Sequence, residues 1–385
     1  MRSLAIRGAA LAALCLSAAA WAAPAACDGW PAWQTFRQRF VSGDGRVIDL
    51  GGDGSSTTSE GQSYALFFAL VANDRPSFDR LLGWTRDNLA AGDLAGRLPA
   101  WHWGKRADGS WGVLDENSAS DSDLWIAYSL LEAGRLWREP LYVAQGKLLA
   151  LRALREETAD LPGLGPTLLP GKQGFVGASG LVKLNPSYSP PQLIARLARA
   201  LPDSDWPKLR QSTERVLLDT APAGFAPDWA AYLPGKGWQP DADSGAIGSY
   251  NAIRVYLWAG ILSPQTPLRA QLLRAYQPMA EWVAQQGLPP EKVDVRSGKG
   301  EGKGPAGFSA ALLPFLKASG QRQALQSQQL RLQASPGSER PDAYYEHVLT
   351  LFGQGWMDGR YQFQRNGEVK PAWEGACPVS QAASR

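Results

Sequence analysis

The chain has 385 residues, with 39 Lys and Arg against 36 Asp and Glu and a formal net charge of +3. Both signs of charge are mixed along it and no basic tract of the kind that tracks phosphates is present, which excludes nucleic acid as a partner. The two histidines, His102 and His347, stand apart from each other and from any cysteine, so no zinc-type spacing exists and neither a metal nor a cofactor is expected.

In chain order, Arg2 and Arg7 precede the apolar run Ala9 to Ala20, and small residues follow around Ala20-Trp21-Ala22. A basic start, a short apolar stretch and an A-x-A site describe a secretory signal peptide over residues 1–22, too short to span a membrane comfortably. Residues 23–385 are then read as a single domain. Cys15 leaves with the signal, and Cys27 and Cys377 remain near the two ends of what is left. In an oxidising compartment two such thiols are expected to pair and tie the termini together.

Apolar residues then recur at three-to-four spacing, predicting a first short helix around Trp33, Phe36 and Phe40. Eleven more follow, over 59–73, 76–90, 121–138, 142–158, 190–201, 206–219, 248–262, 266–287, 308–318, 322–333 and 341–354. Strand-type alternation is scarce; Tyr361–Gln364 is the one short candidate. The Gly/Lys stretch 298–304 lacks Walker spacing and follows no strand, so it reads as a surface loop. No heptad seam argues for assembly, and a monomer is expected. Twelve helices without a linker imply an all-α domain, and an even number permits six antiparallel pairs in a ring.

Sixteen tryptophans against three methionines are the first functional sign. Trp84 and Trp137 sit at helix-core spacing, whereas Trp101, Trp103, Trp111 and Trp229 fall in polar stretches. An indole in a cleft offers a flat apolar face to a sugar ring and an N–H to a hydroxyl. Glycoside hydrolysis further needs a carboxylic acid to protonate the leaving oxygen and a second group to activate water or attack the sugar. Glu60 directly precedes the apolar run Ala65 to Leu70, and Ser59 and Gln62 have capping-box spacing, which places Glu60 in the first turn of a helix. There the helix dipole favours the carboxylate, so an acid role requires burial or a neighbouring carboxylate. Asp121 and Asp123 precede a second apolar run; alone they read as helix caps, and beside Glu60 one of them could grip sugar hydroxyls and raise its pKa.

The block Ala119-Ser120-Asp121-Ser122-Asp123, with Ile126, Ala127, Ala133 and Trp137, resembles the signature of family 8 glycoside hydrolases, Ser122 standing where Ala or Gly is usual. Thr57-Thr58-Ser59-Glu60-Gly61-Gln62-Ser63-Tyr64 resembles the family's acid motif. Further similar blocks are Asn185–Tyr188, Phe225–Trp229 and Ser249–Tyr256, so the likeness runs from about Trp30 to Cys377. Within the family it is greatest to the periplasmic endoglucanases of bacterial cellulose-synthesis operons. The resemblance implies an (α/α)6 barrel of six helical hairpins with a long cleft at one end. It implies inverting hydrolysis of a β-1,4-glucan chain in the periplasm, with the cellulose synthase export machinery as a possible partner. Glu60 would be the general acid and Asp121 would bind and distort the sugar at the cleavage point. Tyr188 and Arg254 would line the same subsite, Trp101 and Trp103 would stack on sugars, and Asp228, Trp229 and Tyr250 complete the implied substrate contacts.

One position departs from the pattern. The family's usual base is the aspartate of a Ser-Tyr-Asp-Ala-Ile-Arg block, and Asn251 stands there. A neutral amide cannot take the proton from water, and base assistance contributes roughly 10²–10⁴-fold in rate. Three explanations stay open: Asp228 or Asp243 serves as base, turnover is low, or the residue has been changed. The alternatives to a cellulase are therefore a glucan-binding protein with little turnover and a hydrolase of xylan, mixed-linkage glucan or chitosan.

Overall fold

The computed structural model describes residues 29–51, 55–334 and 343–375. Residues 1–22, read as a signal peptide, and Cys27 and Cys377 with their expected pairing lie outside the described residues. Thirteen α-helices dominate the described residues: α1 (Pro31–Phe40), α2 (Ser59–Val71), α3 (Arg75–Leu89), α4 (Ser120–Leu136), α5 (Pro140–Glu156), α6 (Pro191–Ala200), α7 (Trp206–Asp219), α8 (Ile253–Ile261), α9 (Pro267–Ala275), α10 (Gln277–Gln286), α11 (Ala306–Ala318), α12 (Arg322–Ala334) and α13 (Tyr344–Met357).

Sequence composition sorts them into two layers. In α2 every residue except Glu60 is buried, and in α8 all nine are. In α4 the buried stretch is Ser120–Gly134. Helices apolar all round belong inside, and α2, α4, α6, α8, α11 and α13 form the inner ring. The outer helices α3, α5, α7, the α9–α10 pair and α12 each pack on the inner helix they follow, and α1 packs on α13 to complete the set. The result is an (α/α)6 barrel. Its axis is filled by aromatic rings: Phe67 lies 5.7 Å from Phe352, and Trp125 lies 5.6 Å from Trp258. Helix α13 approaches α11 so closely that a Cβ on Gly353 would stand 1.9 Å from the Ala310 carbonyl oxygen.

Two expectations change. The single helix read over 266–287 is broken at Tyr276, because Pro278 has no N–H to donate and its ring excludes the carbonyl of Arg274 from a continuous ladder. Among the described residues thirteen short strands also join the helices, where the sequence offers Tyr361–Gln364 alone, observed as Tyr361–Phe363. The connection after α1 holds β1 (Thr57–Thr58). Between α3 and α4 lie β2 (His102–Lys105) and β3 (Trp111–Asp115). After α5 come β4 (Thr158–Leu161), β5 (Gly165–Leu168) and β6 (Val182–Leu184), and after α7 β7 (Ala230–Leu233), β8 (Gly237–Pro240) and β9 (Ile247–Gly248). Strands β10 (Lys292–Asp294) and β11 (Gly300–Glu301) precede α11, so the Gly/Lys stretch is partly strand; β12 (Tyr361–Phe363) and β13 (Val369–Pro371) end the described chain. At two to five residues, such strands are too short to show a period of two.

The β12–β13 hairpin plugs one end of the barrel. Phe363 stacks on Phe67 at 6.0 Å, and the Tyr128 hydroxyl donates to the Gly367 carbonyl. Beneath it Glu132, fully buried, accepts from Arg196 Nε at 2.5 Å, Arg135 Nη2 at 2.7 Å and the Val369 N–H at 2.9 Å. Removing that carboxylate strands the buried Arg196 guanidinium and leaves Arg135 with only Glu374 and the Val369 carbonyl. Glu132→Ala is therefore expected to lower stability by about 3–5 kcal/mol, read as the denaturant midpoint, whereas a change below about 1 kcal/mol would show that water replaces the carboxylate.

Candidate active site

At the other end the starts of α2, α4 and α8 converge. Helix α2 is capped by Thr58, whose side chain accepts from the Gly61 N–H. The capping box expected from Ser59 and Gln62 does not form. The Gln62 amide instead reaches inward to Gly45, Val47, Leu81 and Thr85, and the Ser59 hydroxyl meets Ser122 Oγ at 2.6 Å. The departure at Ser122 thus has a physical use, since its hydroxyl joins α2 to α4. Helix α4 has no side-chain cap, so Asp121 and Asp123 are not caps either; both are buried in its first turn.

Glu60 and Tyr64 lie one turn apart on α2, on the same face. The Tyr64 hydroxyl donates to Asp121 Oδ2 at 3.2 Å and accepts from Arg254 Nη1 at 3.0 Å. Arg254 Nη1 is also 3.6 Å from Asp121 Oδ2, and its Nη2 donates to Ser187 Oγ at 2.8 Å and to Asn251 Oδ1 at 2.7 Å. Its guanidinium lies 5.6 Å from the centre of the Tyr188 ring. One buried cation therefore gathers Asp121, Tyr188 and Asn251 around the start of α2.

Glu60 is half-buried, and its Oε2 receives no hydrogen bond. Burial first, and then the Asp121 charge, push its carboxyl up to about 8, outweighing its backbone hydrogen bond and the pull of Arg254. A carboxyl at that value is protonated at neutral pH, as a proton donor must be. Asp121 is also raised by burial, against the opposing effect of Arg254 and the hydrogen bonds from Ser122 N–H and Tyr64. The arrangement offers a neutral acid beside a second carboxyl that is held by a cation.

Asp228 does different work from that expected of a base. Its Oδ1 accepts the backbone N–H groups of Ser249, Asn251 and Ala252 at 2.8, 2.9 and 2.7 Å, so it shapes the turn that presents Asn251. Asp243 lies at the surface, 84 % exposed, paired with Lys183 Nζ at 2.9 Å. Among the described residues no group of three or more His, Cys, Asp and Glu is placed to hold a metal.

The aromatic candidates surround this centre. The start of α2 is tied to Trp101 by the Ser59 N–H to Trp101 carbonyl bond, and Trp103 pairs with Thr57 in the β1–β2 ladder. Trp103 stacks on Trp111 at 5.4 Å, and Arg46 lies 4.4 Å from the Trp103 ring centre. Its ring is thus engaged by protein, and Trp111, 45 % exposed, is the outward indole of the stack. Trp229 lies 6.0 Å from Tyr188 and parallel to Phe175 at 6.3 Å. Tyr250, exposed by the same 45 %, packs edge-on against Phe308.

The sequence profile of Glycosyl hydrolases family 8 matches residues 7–359. The chain belongs to that family. It is 51 % identical to an endoglucanase of Escherichia coli O157:H7, over 94 % of this chain and 96 % of the relative, and 52 % identical to an endoglucanase of Salmonella typhi, over 93 % and 95 %. The crystal structure of an endo-1,4-D-glucanase from Vibrio fischeri ES114 superposes with a TM-score of 0.87 at 47 % identity, covering 90 % of this chain and 99 % of that one. The family 8 chain is thus a glycoside hydrolase. Tyr64 and Ser187 lie in blocks similar to the family's without a role of their own in the sequence, although Tyr64 stands four residues from Glu60; Glu157 carries no sequence signal.

Proposed function

We propose that this enzyme is an inverting endo-β-1,4-glucanase that works in the periplasm on cellulose as it is made and exported. The observation that carries the reading is the Glu60 carboxyl, its Oε2 without a hydrogen-bond partner, beside the Asp121–Tyr64–Arg254 network. Glu60 delivers its proton to the glycosidic oxygen as that bond breaks, and water attacks C1 from the opposite face and releases its proton to solvent, the base position being held by the amide of Asn251. Asp121, oriented by Tyr64 and Arg254, binds the sugar being distorted at the cleavage point. The named relatives are endoglucanases, which supports a glucan substrate, and the aromatic residues flanking the centre suit successive flat sugar rings. The N-terminal pattern of Arg2, Arg7 and Ala9–Ala20 supports export.

The test of substrate is a panel of carboxymethylcellulose, xylan, mixed-linkage glucan and chitosan, read by reducing-sugar release and by viscosity. Soluble cellulose is expected to lose viscosity before much sugar is released, as internal cleavage requires. Cleavage of chitosan or xylan with none of cellulose would overturn the assignment. Location is tested by fractionating cells that express the full chain: the shorter, processed form is expected in the periplasmic fraction.

A further inference from the structure

We propose that Asp123 and Glu157 form a proton-sharing carboxyl pair that positions Asp121. The proposal rests on the role given to Asp121 above and extends the site inward by one layer. Asp121 and Asp123 leave the first turn of α4 toward different partners. Asp121 meets Tyr64 and Arg254, whereas Asp123 meets Glu157, the residue that ends α5. Both members of the pair are 0 % exposed. Glu157 Oε1 accepts from Ser118 Oγ at 2.6 Å. Its Oε2 and both oxygens of Asp123 have no hydrogen-bond donor among the protein groups, so a bond between the two side chains requires a proton carried by one of them.

The charges that face the pair are acids: Asp121 and Glu60 from the active site and Glu156 from α5. Burial and these neighbours raise Asp123 well above the carboxylate range, and Glu157 to about 8. Two ionised carboxylates cannot occupy such a place together, so Asp123 stays protonated and donates.

The pair stands where a helix cap is missing. Helix α4 starts at Ala119 without a side-chain cap. The turn is instead fixed by the Ser120 N–H to the Pro170 carbonyl and by Ser118 Oγ accepting from the Lys172 N–H, with the two buried carboxyls of Asp123 and Glu157 meeting behind it. Glu157 in turn receives the Leu169 N–H on its carbonyl. The end of α5 and the segment after β5 thus hold the turn that aims Asp121. A hydrogen-bonded acid pair sets direction more tightly than apolar packing would, because it fixes a distance and an angle.

The test compares Asp123→Asn, which keeps a donor for Glu157, with Asp123→Leu, which does not. On soluble cellulose at pH 6, Asp123→Asn is expected to keep kcat within about threefold. Asp123→Leu is expected to lose about tenfold or more in kcat with KM nearly unchanged, the signature of a misplaced catalytic group. The second readout is thermal stability against pH in the Glu60→Gln background, where Glu60 no longer titrates. The unfolded chain ionises these acids near their ordinary values while the folded chain keeps their protons to about 8. Stability therefore falls as pH rises across that window, and adding Asp123→Asn should make the fall shallower. Equal kcat loss in the Asn and Leu variants, or an unchanged slope of Tm against pH, overturns the proposal. Should the Leu variant not fold, the kcat and the slope of the Asn variant decide. An Asp121→Asn enzyme with full kcat would instead defeat the role of Asp121, leaving the slope as an independent test of the pair.

Discussion

Replacing Glu60 by Gln is expected to cut cellulose cleavage by about 10²–10⁴-fold while cello-oligosaccharide binding stays within a few-fold. The amide matches the carboxyl in shape but has no proton to give to a leaving oxygen. The pH dependence follows from the same burial. With the Glu60 carboxyl near 8, the wild-type rate should fall as pH rises through that value, and the variant should lack this limb. The effect of the substitution on stability is opposite to its effect on rate. The unfolded chain releases the Glu60 proton near its ordinary value and the folded chain only near 8, so at pH 7 the native acid costs stability. Glu60→Gln should accordingly melt at a higher temperature than the wild type at pH 7. A Glu60→Gln enzyme with undiminished cleavage would place the acid elsewhere.

The second large effect runs the other way. Asn251→Asp is expected to raise the rate on soluble cellulose by at least about tenfold. Asn251 Oδ1 already accepts from Arg254 Nη2, and its N–H is held by Asp228 Oδ1, so an aspartate here enters a prepared turn beside a cation. Arg254 would hold that carboxylate ionised at neutral pH, and its other oxygen could face the attacking water. The pH profile should then gain an acid limb that an amide cannot produce. An unchanged rate would move the base to another group. The structure weighs against the two acids first considered, because Asp228 spends one oxygen on three backbone N–H groups and Asp243 is bound to Lys183 at the surface.

Much of this was legible in the chain because buried helices leave long apolar runs. The inner-ring segments around 59–73 and 121–138 were visible from spacing, and Pro278 was in plain view where the predicted 266–287 helix breaks. Strands of two to five residues were not legible, since their pairing depends on partners far along the chain, as Thr57 with Trp103 shows. The reacting residues were found through several separated blocks, not through any local property. The chain around Glu60 and Asp121 looked like two ordinary helix starts, and only packing removes water from both. What most escaped notice were the supports. Tyr64 lies in the block that resembles the acid motif and Glu157 near the end of the 142–158 periodicity, with no sign of what either supports, because a sequence shows a carboxyl but not whether anything donates to it.

The seam between α1 and α13 bears on how the molecule acquires its shape. Phe36 and Phe40 pack on Tyr344 at 6.0 and 5.6 Å, across some three hundred residues of chain. Loop-closure entropy must be met before contacts so distant in sequence stabilise anything. Closing the ring between α1 and α13 therefore costs more loop entropy than any contact between helices adjacent in the chain. Until α13 arrives, α1 has no floor, the rings of Phe67 and Trp125 lack Phe352, and the nascent chain exposes apolar surface that is prone to aggregate. A chain cut before Tyr344 should collapse without native cooperativity, because a barrel with one stave missing has no inside.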